Sequence, residues 1–583
     1  MSIKISFLLL FCAIIGNTFA QDKPTGSYSS SADANFKPFY SDKLGTISQN
    51  GMVAATHPVA AEVGLNILKL GGNAVDAAIA THFALAVVHP AAGNVAGGGF
   101  LVYRDKKGKN YTLDFREKAP AAASRDMYLD EKGNPIGGLS IAGHLSSGVP
   151  GSVDGMATMH KKLATLPWKT LLEPAIQLAE KGVILTEREA RGLNRMKAEF
   201  LRYNPATLYF QKPNGQEWKT ADTLVQKDLA EVLKRIQKKG RKGFYEGETA
   251  RLLLEEMRKG KGIISAEDLK NYHSVWRTAV TGDYKGMKII SMPPTSSGGI
   301  ALIQLLKYVE PYPLKKWGWH SDSTTQVMIE AERRVFADRA KWLGDQDFVK
   351  VPMQELTSTD YLKNRWKDFD WNKASDSKNI AGGLIPAYES LETTHYSVVD
   401  KEGNAVSITT TLNNSYGSKV IVGGAGFLMN DEMDDFSIKP GVPNMFGLIG
   451  NEANSIRPNK RMLSSMTPTI IEKDGKLLMV LGTPGGSTII TQVFQAALNV
   501  LEHGMSMQQA VSAARFHHQW LPDKTVFEVN GFEEAVLEIL RKRGYNLELQ
   551  KSTMGRMDCI LVRPDGSLEG GADPRGDDTA VGY

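Results

Sequence analysis

The stretch HPVAAEVGLNILKLGGNAVDAAIATHFALAVVHP, residues 57–90, limits the fold more than any other part of the chain. Alanine and leucine recur at helical spacing on either side of Gly71-Gly72, which predicts two helices with a break between them. The second is apolar nearly all round, and such a helix has to be buried on every side. Layers must therefore form around it, and the remaining pattern supplies them. Residues 91–120 read as a glycine-rich turn, a strand, a Lys-Gly-Lys turn and a second strand. From about residue 155 to 270 the chain is mostly amphipathic helix, and residues 278–309 return to strands and then a helix after Gly298-Gly299. Strands resume at Thr394, with turns at residues 401–404 and at Asp474-Gly475, before helical sequence at 487–504 and 532–544. Helices together with mostly antiparallel strands predict a layered α/β sandwich. Residues 21–49 read as an extended polar arm, and 371–392, rich in Ser, Asn, Gly and Pro, as an exposed loop.

Length alone, at 583 residues, allows two to four domains, although a large sandwich lowers that count. A net charge of +5 is small for this length, and the basic piece RIQKKGRKG (235–243) adjoins acidic helical sequence. It reads as a solvated helix end, so no nucleic-acid partner is expected. The N-terminus has Lys4, an apolar run from about Ile5 to Gly16, and then Thr18-Phe19-Ala20. That is the layout of a secretory signal over residues 1–20, cut after Ala20, which predicts export to the periplasm or beyond. Its apolar run is shorter than the roughly 20 residues of a spanning helix, so no stable membrane anchor is expected. Cys12 leaves with the signal and Cys559 remains, which excludes an internal disulfide.

Several chemistries fail on spacing. HLSSGVPGS and TSSGGI miss the G-x-S-x-G elbow, and GTPGGST lacks the Gly-Lys-Ser/Thr ending of a phosphate loop. No H-E-x-x-H is present, and adjacent His517-His518 cannot share one face, so no metal is expected. The acids of NDEMDDFS (430–437) lack calcium-loop spacing, but they suit an ammonium group. The segment SLETTHYSVVDKEGNAVSITTTLNN (390–414) leaves two readings open. Threonine is ordinary strand material. Alternatively, cleavage between Glu392 and Thr393 would free an α-amine, with a pKa of about 7.7–8.0, to activate the Thr393 hydroxyl. That scheme needs no histidine or aspartate partner.

TTHYSVVDKEGNAV resembles the start of the small subunit of γ-glutamyltransferases, which belong to the N-terminal-nucleophile hydrolases. The likeness extends, in the family's order, through HPVAAEVGLNILKLGGNAVDAAIAT, NVAGGGFLVYRD, DFREKAP, NDEMDDFS, PGVPNMFGL, PNKRMLSSMTPTI, GTPGGSTII, RFHHQWLPD and DPRGDDTAVGY. It covers nearly all of the chain after the signal.

The resemblance implies a four-layer αββα sandwich with mixed, mostly antiparallel sheets. It also implies a precursor that cuts itself into a large subunit, 21–392, and a small subunit, 393–583, which stay together as a heterodimer in one αββα unit. Thr393 then serves as self-processing residue and nucleophile, and Thr411 matches the position whose hydroxyl contacts the new α-amine. Thr409 and Thr410 remain strand residues. For the α-carboxylate of a γ-glutamyl group the family implies Arg116, with Ser464 and Ser465; for its ammonium, Asn413, Glu432 and Asp435. Gly485 and Gly486 match the oxyanion-hole glycines. PGVPNMFG resembles a lid loop in which an aromatic hydroxyl often contacts the asparagine equivalent to Asn413; Phe446 has none. No cofactor is implied. The implied reaction cleaves the γ-glutamyl amide of glutathione and related compounds through a threonine ester, which water, amino acids or peptides resolve. A cephalosporin or glutaryl acylase, or a binding protein that does not mature, are the alternatives on this scaffold. Asp435 and the lid favour an amino-acid substrate, and the set Thr393, Thr411, Gly485 and Gly486 opposes an inactive protein.

Overall fold

The computed structural model describes residues 36–206, 208–380, 393–442, 444 and 447–583. Glu392, Phe446 and the expected signal segment lie outside the described residues.

The apolar helix sets the architecture as its sequence demands. Ala74–Val88 buries every one of its residues, and Pro58–Lys69 packs beside it after the Gly71-Gly72 break. Asn73 starts it with a capping box: its side chain accepts from the Asp76 amide, and the Asp76 carboxylate accepts from the Asn73 amide. Beneath it lies a seven-stranded sheet in the order Thr579–Gly582, Met52–Ala55, Thr394–Val399, Ala405–Thr411, Gly98–Arg104, Asn110–Asp114, Val275–Arg277. A second sheet runs Thr46–Ser48, Leu568–Ala572, Asp558–Val562, Lys476–Leu481, Thr469–Lys473, Met287–Ser291, Val280–Tyr284. Every neighbouring pair in both is antiparallel. The sheets face each other over Met52, Phe100, Val102, Ile290, Ile470, Val480 and Ile560. Helix Gly298–Val309 lies on the outer face of the second sheet, and Asp322–Trp342 and Thr488–Leu501 pack against it, completing the αββα layers. Each sheet combines strands from before and after Thr393, and strands of the two segments pair directly in both.

Two stretches depart in part from expectation. Within the polar arm, Thr46–Ser48 is an edge strand paired with Leu568–Gly570. Residues 371–380 are irregular and largely exposed as expected, but they are anchored at three buried residues. Trp371 is buried among Tyr312, Trp317 and Phe369, and Ile380 is buried too. The Ser377 amide donates to Asp523 at 2.8 Å, and the Trp520 indole donates to the Ser377 carbonyl at 2.9 Å. A polar composition disguised an anchored segment.

Candidate active site

Thr393 stands immediately before the strand Thr394–Val399, whose hairpin partner is Ala405–Thr411. The register pairs Thr394 with Thr410 and His395 with Thr409, so Thr393 falls beside Thr411. Their hydroxyl oxygens are 3.4 Å apart, and Thr393 is 5% exposed. Thr411 Oγ1 also accepts the Asn413 amide at 2.8 Å. Asn413 adopts the left-handed conformation (φ 77°), and its Nδ2 donates to the Asp431 carbonyl at 3.1 Å. This turn carries the chain from the threonines to the acidic segment. The other two threonines are engaged elsewhere. Thr410 donates to the Gly98 carbonyl at 2.8 Å, and Thr409 pairs with His395 Nδ1 at 2.9 Å. Burial lowers the His395 pKa to about 3, which keeps this imidazole neutral.

A small pocket opens on Thr393. Its lining includes Thr411, Arg116, Asn413, Glu432, Asp435, Ser464, Ser465 and Gly486, with Leu448, Met466 and Ile489 as apolar walls. Within it, Arg116 Nη1 pairs with Glu432 and Nη2 with Asp435, while Nε donates to the Met462 carbonyl at 3.3 Å. The guanidinium and the acids matched to opposite ends of a ligand thus hold each other. Acid is in excess, since Glu117 lies 3.7 Å from the same Nη1. Burial pushes the Glu117 carboxyl up to about 8, and pushes Glu432 and Asp435 upward, with the Arg116 charge opposing in each case. Glu117 and Glu432 share a side-chain hydrogen bond through a retained proton, and Glu432 Oε2 meets no N–H or hydroxyl donor among the described residues. Ser464 Oγ accepts the Met466 amide at 3.1 Å, and Ser465 Oγ accepts from Arg339 Nη2 at 3.1 Å. Each serine therefore keeps its own proton for a further acceptor.

The glycine loop supplies another kind of donor. Gly485 and Gly486 have φ of 140° and 55°, and a Cβ at Gly485 would lie 2.5 Å from Gln492 Nε2 and 2.7 Å from Thr488 Oγ1. Their carbonyls accept the Thr488 and Ile489 amides, which starts the helix Thr488–Leu501. Their own amides donate to no described residue. Gly486 lines the pocket, and Gly485 stands just outside its lining. Free amides at a helix N-terminus stabilise an anion formed there.

The sequence did not single out Leu448, Met466, Ile489, Asn444 or Arg339. Asn444 Nδ2 donates to Asp435 Oδ1 at 3.3 Å, and its position inside the lid-like motif was the available signal. Among the described residues no group of three His, Cys, Asp or Glu is placed to hold a metal ion.

The family model for gamma-glutamyltranspeptidase matches residues 60–583. The chain belongs to that family. It is 47% identical over 539 residues, 92% of each chain, to a protein of Escherichia coli K12 named glutathione hydrolase proenzyme. The crystal structure of Helicobacter pylori γ-glutamyltranspeptidase is 45% identical, with TM-score 0.55 over 56% of this chain and 94% of that one. A cephalosporin acylase from Bacillus halodurans is 26% identical but superposes with TM-score 0.81 over 95% of this chain and 99% of that one. Members of the γ-glutamyltranspeptidase family and this acylase thus share the αββα frame described above.

Proposed function

We propose that this chain is a self-processing γ-glutamyltransferase and glutathione hydrolase. One observation carries the reading: the Thr393 hydroxyl shares a small pocket with Thr411, an Arg116–Glu432–Asp435 cluster and the Gly486 amide. A γ-glutamyl group ends in a carboxylate and an ammonium, so it adds both charges to a cluster already built of both. Its carboxylate faces Arg116 and the Ser464 and Ser465 hydroxyls, and its ammonium faces Asn413, Glu432 and Asp435. The relatives' name, glutathione hydrolase proenzyme, supports both the substrate and the processing.

Cleavage between Glu392 and Thr393 frees the α-amine that takes the hydroxyl proton. Thr393 Oγ1 attacks the γ-carbonyl, and the oxyanion forms against the Gly485 and Gly486 amides, each such donor contributing about 3–4 kcal/mol. The amine leaves with a proton, and a γ-glutamyl ester remains. Water then releases glutamate, or the amine of an amino acid or peptide accepts the group. The resulting pieces, 21–392 and 393–583, stay together because strands of both pair directly in each sheet. The N-terminal pattern of residues 1–20 supports export to the periplasm. Among the described residues no helix is long and apolar enough to cross a membrane.

Electrophoresis of the purified protein tests this directly. Two fragments are expected, the larger nearly twice the smaller, with Thr393 as a new N-terminus. Thr393→Ala should leave one band and no turnover; a single band from the unaltered chain, or γ-glutamyl release by the variant, would overturn the mechanism. A glutaryl amide lacks the ammonium and should be a poor donor. Turnover of it equal to a γ-glutamyl amide would favour an acylase instead.

A further inference from the structure

Three arginines of the buried helix Asp322–Trp342 have contrasting surroundings. Arg333 faces Glu330 and Asp523, and Arg334 faces Glu330 and Asp368. Arg339 is as buried as its helix neighbours but has no carboxylate within 4.0 Å among the described residues. Its partners are two hydroxyls: Nε donates to Ser297 Oγ at 2.9 Å, and Nη2 to Ser465 Oγ at 3.1 Å. Burial pulls its pKa down to about 10, with Asp435 opposing that shift and Arg116 adding to it. A buried cation without a counter-charge is costly, and the cost is relieved where an anion binds.

The pocket lies one hydroxyl away. Because Ser465 Oγ accepts from Arg339, its proton has to point onward, and Ser465 lines the pocket. A hydroxyl that accepts from a guanidinium is a polarised donor, so positive charge reaches the pocket through it. The backbone beside that serine, at Ser464, is held by the TSSGG segment, which failed as a nucleophile motif. Ser297 donates its amide (2.8 Å) and hydroxyl (2.7 Å) to the Ser464 carbonyl, and the Ser464 amide donates to the Thr295 carbonyl at 3.1 Å. Arg116, by contrast, is already held by two acids.

We propose that Arg339 is a second counter-charge for the α-carboxylate of the donor, behind Arg116 and acting through the Ser465 hydroxyl, and that Ser297 holds Arg339 and Ser464 in register. This rests on the γ-glutamyl reading above. Arg339 is a positioning and specificity residue, since Ser465 stands between it and the ligand. Donor selection then depends on a residue of the segment before Thr393 acting on a serine of the segment after it.

Steady-state kinetics with two chromogenic donors test this: γ-glutamyl-p-nitroanilide, and 4-aminobutyryl-p-nitroanilide, the same donor without its carboxylate. In Arg339→Gln, KM for the γ-glutamyl donor should rise at least about 30-fold, the scale for losing one partner of a buried charge pair. The preference between the two donors should narrow by a similar factor, while the two-band pattern and the 4-aminobutyryl rate persist. Arg339→Lys, which keeps the charge, should recover part of both KM and preference. A parallel fall for both donors, with the preference unchanged, would overturn the proposal and leave Arg339 a scaffold residue. Should Arg339→Gln fail to fold, Arg339→Met decides, because it removes the charge while filling the same buried space: the relay predicts the same narrowed preference and a scaffold role predicts none. Failure of the parent reading is a separate result, seen as no nitroaniline release from the γ-glutamyl donor by the unaltered, processed protein.

Discussion

Two of the buried clusters of guanidinium and carboxylate groups among the described residues are built to opposite rules. Around Arg575 everything is matched. Arg575 meets Glu528 at 2.6 Å and Asp573 at 3.1 Å, Arg515 meets Asp573, and remaining N–H groups donate to the carbonyls of Val511, Ala513 and Met554. Burial works against ionised Asp573, yet Arg515 and Arg575 hold it below the usual carboxylate range. Around Arg116, three acids crowd one guanidinium, their carboxyls are pushed upward, and Glu432 Oε2 meets no N–H or hydroxyl donor among the described residues. Both clusters are deeply buried and both contain arginine. What separates a staple from a binding site here is whether its hydrogen-bonding capacity is used up.

The contrast can be broken by exchange of roles, beginning with the largest effect. Arg116→Gln should lower kcat/KM for a γ-glutamyl donor by at least about 1,000-fold, at the upper end of a truncated charge pair. Its thermal midpoint should move little near pH 5, where Glu432 and Asp435 take up protons in place of the lost charge. Scanning calorimetry beside the kinetics checks both, and a collapse in stability with activity retained would reverse the assignment. Next comes Arg575→Met, which strips two acids of their partner and should cost about 3–5 kcal/mol by urea unfolding. Donor KM in whatever remains folded should be unchanged.

The smallest effect concerns Glu117 and its pH dependence. Its folded pKa is raised to about 8, so the fold holds a proton that the unfolded chain releases. The sign follows: this group's contribution is fully present below the unfolded pKa of about 4.3 and is lost as pH rises toward 8, at up to about 1.4 kcal/mol per unit. Glu117→Gln should therefore flatten the fall in thermal midpoint between pH 5 and pH 8. An unchanged slope would mean that Glu117 is not a source of the strain.

Much of this was legible in the sequence where one physical rule decided the matter. The all-round apolar helix had to be central, and Asp474-Gly475 had to be a hairpin, with both residues at positive φ. Residues 371–380 read correctly as a loop, but their anchoring was hidden because polar composition says nothing about which aromatic neighbours wait in space for Trp371. Thr46–Ser48 misled for the same reason, since its partner is more than 500 residues away. At the site, resemblance named the residues that the pocket collects, but not how Arg116 spends its donors. Arg339 was silent in sequence because an arginine without an acid looks like any other arginine.

The pairing of strands from before and after Thr393 within both sheets has one further consequence. In the uncut chain, assembly is a first-order process, because every strand is tethered to its neighbours. A cut before Thr393 leaves two molecules that still interdigitate but that, once denatured, have to find each other by diffusion. Refolding of the mature protein then becomes second-order and slows on dilution, while Thr393→Ala refolds at a rate independent of concentration. The hydrolysis of one peptide bond would thus act as a ratchet, fixing a topology that the separated pieces rebuild only with difficulty.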